Sequence, residues 1–300
     1  MIPSDSLPIP GGRRVLWAAA GMMFAATVLN ACDGVIVRLL AGEVHPFVIA
    51  FFRAAFGLGF LLPWILRRGD LLASPYRGMH ILRAALKLAS LLALFVAFAN
   101  APLSDVTAIS FTAPLFLMLG ACLFLGEGLS VVRVASVVTG FAGMLIILRP
   151  GAAGYDVALL FALVGAVLTA TIQLILKGMS GRDRPDRLVA WNLIAMVPLA
   201  LILALSVWQT PSPRALALMA VQGALGAASQ ALVTRALSMA DASFLAPLDF
   251  LRLPVIAVMA FIFFGEVSGP ATWIGAGAIV LAVLLGAFSK GGKKQGSQRL

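Results

Sequence analysis

"DASFLAPLDFLRLPVIAVMAFIFFGE", residues 241–266, holds the two features from which the fold is read. Its closing Gly265-Glu266 repeats Gly126-Glu127 at a distance of 139 residues, and the same shift lays Lys177 on Arg38, Pro185 on Pro46 and Trp191 on Phe52. That register predicts a duplicated architecture. The middle of the stretch sets an acid and a base, Asp249 and Arg252, between Pro247 and Pro254 in otherwise apolar surroundings. Charge there needs either a partner or a watery space to face.

Working outward, the chain of 300 residues is 61% hydrophobic and 11% charged, where a soluble domain is about 45–50% apolar and about 25% charged. Ten apolar runs follow one another, at 15–40, 46–66, 78–100, 105–125, 129–148, 157–177, 187–208, 214–238, 241–264 and 268–288. Each exceeds the roughly 17 residues that cross a bilayer core. The expected fold class is an all-α integral membrane protein of ten transmembrane helices. Five runs separate the two copies of the repeat, and five is odd, so the second copy must cross in the opposite sense. The predicted organisation is a cytoplasmic segment at 1–14, a first five-helix repeat at 15–149, a second at 150–288 and a basic tail at 289–300.

The net charge of +10 sits mainly at the ends of the apolar runs, a pattern of membrane orientation rather than of nucleic-acid binding. With the N-terminus cytoplasmic, fifteen basic residues fall inside and three outside, namely Arg38, Arg149 and Arg214. Both termini are therefore expected in the cytoplasm of a multi-pass protein of the bacterial inner membrane. Cys32 and Cys122 lie in separate runs, and His45 and His80 stand far apart, so neither a metal site nor a cofactor is expected. "LNAC" at 29–32 carries a poor residue for a lipidation box, and the apolar run continues past it. A nucleophile with its base is equally missing, which argues against an enzyme.

Ionisable groups inside the runs are costly, on the order of 2.5–3.5 kcal/mol at a helix centre, and so mark candidates for function. Asp33, Arg53, Arg83, Lys87, Asp249 and Arg252 are the six. Asp249 and Arg252 share a helix face at a spacing of three and neutralise one another, either as a helix wall facing a watery path or as a structural clasp. His80, Arg83 and Lys87 form a basic stripe, of which His80 and Arg83 are expected to snorkel to lipid phosphates while Lys87 lies deeper. Arg53 is close enough to the outer interface to reach it. Asn30 with Asp33, Gln173 with Thr169, Trp191 with Asn192, and Gln222 with Ser229 complete the polar positions, each open to a cavity or a packing role. Glu127 and Glu266 are expected to stabilise the positive ends of the helices that follow them. The glycine-rich "GALGAAS" (223–229) and "GAGA" (275–278) are expected to pack helices closely.

The segments at 105–127 and 241–266, with "HPFVIAFFRAAFG" (45–57) and "GFAGMLIILRPG" (140–151), resemble the EamA-type ten-helix branch of the drug/metabolite transporter superfamily over residues 15–288. The resemblance implies a secondary carrier of small organic metabolites with a central cavity between two inverted halves. Solutes within that branch include amino acids, S-adenosylmethionine and riboflavin. "FFR" and "HILRA" (80–84) are similar to S-adenosylmethionine uptake carriers, whereas "PLDFLRLP" departs from them.

In-run bases outnumber acids, which predicts a solute bearing a carboxylate or phosphate, with Trp191 or Phe111 covering its apolar part. An amino acid or its derivative is the first expectation. S-adenosylmethionine, riboflavin or another nucleotide-derived metabolite is the alternative, and a channel or intramembrane enzyme a remote one. No "GxxxxGK[ST]" loop occurs, so gradients are expected to drive transport. Asp33 is the expected proton-coupling residue, because Asp249 has a cationic neighbour that holds it ionised. The expected partners are the solute and the lipid bilayer, with no nucleic acid; a homodimer stays open.

Overall fold

The computed structural model describes residues 12–67, 74, 76–125, 131–149, 157–179, 185–239, 245 and 248–288, and every regular element among them is helical. In order these are α1 (Gly12–Leu40), α2 (Pro46–Arg67), α3 (Arg77–Asn100), α4 (Leu103–Ser110), α5 (Ala113–Leu125) and α6 (Val131–Leu148). They are followed by α7 (Ala158–Met179), α8 (Pro185–Leu205), α9 (Pro213–Met239), α10 (Arg252–Phe264) and α11 (Pro270–Phe288). A chain in lipid must satisfy its backbone polar groups internally, and the helix does so segment by segment. Starts are signalled locally: α2, α8, α9 and α11 each begin on a proline, whose missing N–H belongs to the unpaired first turn in any case. Gly265 ends α10 at φ 66, a left-handed cap whose N–H bonds the Phe261 carbonyl at 3.0 Å.

Six helical stretches are long and apolar enough to cross a membrane by length and composition, and four more are shorter apolar helices. They fall one for one on the predicted spans, although those four are shorter than a full crossing within the described residues.

The repeat register is visible in the helix boundaries. A shift of 139 carries both ends of α5 onto α10, the starts of α2 and α6 onto those of α8 and α11, and the ends of α1 and α3 onto those of α7 and α9. Leu159, at the start of α7, lines a recess with Asp105 and Glu266, and Glu266 pairs with Arg38 where α1 stops. Thus α7 starts where α1 ends, and the two copies run in opposite senses.

The fourth span is not the continuous helix expected over 105–125. Phe111 and Thr112 interrupt it between α4 and α5, and the shift of 139 carries this break onto the turn at Phe250 and Leu251 before α10. Prolines explain both. Pro114 and Pro254 lie just inside the helices that follow, and neither can donate back across the break. The backbone tightens instead, with Thr112 bonding the Ile109 carbonyl at 2.9 Å and Leu253 the Phe250 carbonyl at 3.1 Å.

Two apolar cores hold the helices together, one built on α1, α2, α3, α8 and α9, the other on α3, α4, α6, α7, α10 and α11. Each draws on both copies of the repeat, so neither copy packs alone. Small residues set the closest approaches, as expected: a Cβ on Gly223 of α9 would stand 2.8 Å from the Gly57 nitrogen of α2, and one on Gly275 of α11 would stand 2.5 Å from the Gly143 carbonyl of α6.

Candidate transport site

The in-span charges gather where α1, α2, α3 and α10 face one another. Asp33 of α1 accepts from Arg53 of α2 through both carboxylate oxygens, at 3.1 Å from Nε and 3.3 Å from an Nη nitrogen. α9 closes over the pair, with a Cβ on Gly226 only 3.1 Å from the guanidinium. Arg53 therefore turns inward, not to the outer interface as its position along the helix suggested. One turn before Asp33, Asn30 accepts from Ser229 of α9 at 2.9 Å.

Lys87 of α3 has no hydrogen-bond or ion-pair partner among the described residues and is exposed to water. It lies within electrostatic reach of Asp33, Arg53, Arg83 and Arg252.

Arg252 opens α10, directly after the break. Its guanidinium lies 5.0 Å from the Phe111 ring centre and 3.8 Å from an oxygen of Asp249. The ion pair so formed straddles the turn at Phe250 and Leu251 rather than lying on one unbroken helix. Phe111 and Phe250, counterparts under the repeat, meet edge to face at 5.0 Å. The two interrupted spans thus touch at their breaks.

The stripe on α3 differs from expectation. His80 is 1% and Arg83 7% exposed, so neither snorkels to lipid. His80 bonds Ser74 at 3.0 Å and stacks on Trp191 of α8, with ring centres 5.5 Å apart and planes 10° from parallel. Trp191 keeps a buried Nε1 with no partner among the described residues. His80 and Lys87 share a helix face two turns apart, which sets Trp191 roughly 10 Å along α3 from Lys87.

The remaining predicted positions spread outward. Asn192 is half-buried beside Trp191, and Gln173 is exposed on α7 one turn from Thr169, which shares a 3.0 Å hydrogen bond with Ser90. Gln222 is fully buried, and among the described residues neither end of its amide has a partner. None of these three touches the charge cluster in the contacts observed.

Asp33, like Asp249, has a cationic neighbour, and the nearer one, at 3.1 Å against 3.8 Å. Glu266 has a further role beyond capping a dipole, through its pair with Arg38 at 2.7 Å. Glu127, read in the same way, lies outside the described residues. Sequence reasoning missed this pair and the break at Phe111, although the register that joined Arg38 to Lys177 and Glu266 to Glu127 carried the signal for the first.

A duplicated, inverted helical bundle with charged side chains gathered between its helices is the architecture of a membrane transporter. The EamA-like transporter family matches residues 15–149 and again 156–287, and the chain belongs to that family. It is 34% identical to a riboflavin transporter of Rhizobium johnstonii over 237 residues, 78% of each chain. To an S-adenosylmethionine uptake transporter of Rickettsia bellii it is 29% identical over 281 residues, covering 93% of this chain and 96% of the relative. A pseudopaline exporter of Pseudomonas aeruginosa is 27% identical over 265 residues. A solved structure, 19% identical, superposes with a TM-score of 0.60 over 91% of this chain and 97% of its own, a likeness of fold. The first two of these relatives are transporters of riboflavin and S-adenosylmethionine, so the first expectation, an amino acid, is less well supported than its alternative. The protein is a multi-pass membrane transporter of a small molecule.

Proposed function

We propose that the protein carries riboflavin, or a metabolite with the same kind of flat heteroaromatic ring, across the inner membrane by alternating access. The observation that supports this reading is Lys87, an exposed cation with no partner among the described residues, within electrostatic reach of Arg252, whose guanidinium lies 5.0 Å from the Phe111 ring that meets Phe250. The acid-base pairs Asp33–Arg53 and Asp249–Arg252 cancel, so the excess charge of the cluster is positive. Such a field disfavours a sulfonium cation and suits an uncharged ring whose carbonyl oxygens accept from an ammonium. Aromatic faces then cover the ring without needing charge. Asn30, Asp33, Lys87, Phe111, Asp249 and Arg252 form the proposed centre, with Gln173, Trp191, Asn192 and Gln222 at its margins.

The orientation proposed is that of the basic-residue count, with both termini cytoplasmic, so that α1 ends at the outer face. Rocking of one inverted half against the other exposes the centre to each side in turn, driven by a gradient. S-adenosylmethionine is the second reading, favoured by the longer match to its uptake transporters.

Counterflow by purified protein in liposomes tests the choice. Saturable exchange of labelled riboflavin against unlabelled riboflavin is expected, with little exchange of S-adenosylmethionine or of aromatic amino acids. Saturable S-adenosylmethionine exchange without riboflavin exchange would overturn the proposal in favour of its rival.

A further inference from the structure

Arg38 lies in the last turn of α1 and reaches across to two other helices. It donates to the Phe98 carbonyl at 3.0 Å and the Ala101 carbonyl at 2.8 Å, both at the close of α3, and to a Glu266 carboxylate oxygen at 2.7 Å just beyond α10. The other oxygen of Glu266 accepts from the Leu103 N–H at 3.1 Å, at the start of α4. One guanidinium and one carboxylate thus tie four helix ends together. Between this clasp and the charged centre lies a dry plug of Val35, Leu103, Ile256 and Ala260, packed with Phe98 and Met259. α1 and α10 are in contact there, since a Cβ on Gly34 would stand 3.3 Å from Ile256.

α1 also packs on α3 at this end. Arg38 and Glu266 keep side-chain exposures of 24% and 21%, so water can replace each partner when the pair parts. The same charge types recur at Lys177 and Glu127 in the sequence register.

We infer that Arg38 and Glu266 are the outer gate of the transport path, latched in this structure and parted when the centre faces outward. The word "outer" rests on the orientation proposed above; the latch itself does not.

Cysteine accessibility tests it without a substrate, so a wrong solute leaves the result untouched. Lys87→Cys is placed in a Cys32→Ser, Cys122→Ser background and labelled by a membrane-impermeant maleimide in right-side-out and in inside-out vesicles. With the latch intact, labelling is faster from the cytoplasmic side. Arg38→Gln and Glu266→Gln are each expected to raise labelling from the opposite side at least about fivefold, the lower end of ordinary coupling between states. The exchanged pair, Arg38→Glu with Glu266→Arg, is expected to bring the rate back towards its starting value. If orientation alone is wrong, the two sides trade places and the effect persists. Unchanged labelling in both single variants, or an equal rise from both sides that the exchange does not reverse, overturns the gate.

Discussion

Gly275 and Gly277 lie two residues apart in α11, and alanine at these two positions should have opposite consequences. A Cβ on Gly275 would stand 2.5 Å from the Gly143 carbonyl oxygen and 2.5 Å from Ile147 of α6. Ordinary contact begins near 3.4 Å, so α6 and α11 must separate by about 0.9 Å, and the obstacle at Gly143 is backbone that cannot rotate aside. Forcing atoms into a packed interface of this kind costs about 1–3 kcal/mol. A Cβ on Gly277 meets nothing within 4 Å. Both substitutions gain the same helix propensity, about 1 kcal/mol, and this term cancels when the two variants are compared with each other. Gly275→Ala is therefore expected to be about 1–3 kcal/mol less stable than Gly277→Ala. Thermal unfolding of the purified proteins in detergent, followed by the fluorescence of Trp273 on the same helix, measures the difference. Equal midpoints for the two variants would refute the close crossing of α6 and α11, and with it the packing between the two copies of the repeat.

Lys87→Gln is expected to raise the KM for riboflavin at least about tenfold, the loss of one charge-assisted hydrogen bond, and Lys87→Glu to admit cationic solutes in counterflow. An unchanged KM would remove Lys87 from the site. Asp33→Asn leaves Arg53 without its carboxylate and should cost about 1.5–3 kcal/mol in thermal unfolding, with Arg53→Gln added restoring part of the loss. If the same Asp33→Asn protein still accumulates solute under an imposed pH gradient, Asp33 is not the coupling residue. Phe111→Ala and Phe250→Ala should each lose the edge-to-face contact, about 0.5–1.5 kcal/mol beyond the area buried. A double variant no worse than either single one would show that the two rings act as a unit.

Much of this architecture was legible because membrane insertion and duplication both write themselves in sequence. Apolar length gave the spans, and one shift of 139 residues gave their pairing, down to the first and last residues of α5 and α10. Side-chain direction was not legible. Arg53 and Arg83 lie at depths from which a long side chain can reach either an interface or an interior partner, and depth along a helix cannot choose between them. The choice is made by Asp33 on a neighbouring helix for Arg53 and by burial for Arg83. The break at Phe111 was hidden for another reason. A proline near the start of a helix and a proline inside one read alike until the hydrogen bonds show which carbonyl has been left behind.

The same register separates two kinds of residue by what they do. Positions that obey the duplication include those of the frame: the prolines that start α2 and α8, and the charge types of Arg38 and Glu266, repeated in Lys177 and Glu127. The charged positions of the proposed centre break it. Asp33 falls on Ile172, Arg53 on Asn192, Lys87 on Gly226, Asp249 on Ser110 and Arg252 on Ala113. A frame that must close first at one face and then at the other needs two matching ends, whereas a solute without two-fold symmetry needs a pocket without it. Gly226 makes the division physical. Where the first copy carries Lys87, the second carries no side chain at all, and the guanidinium of Arg53 lies 3.1 Å from where one would begin. In the site proposed above, one half offers its cation to the solute, and the other has no side chain at the same position, where Arg53 reaches Asp33.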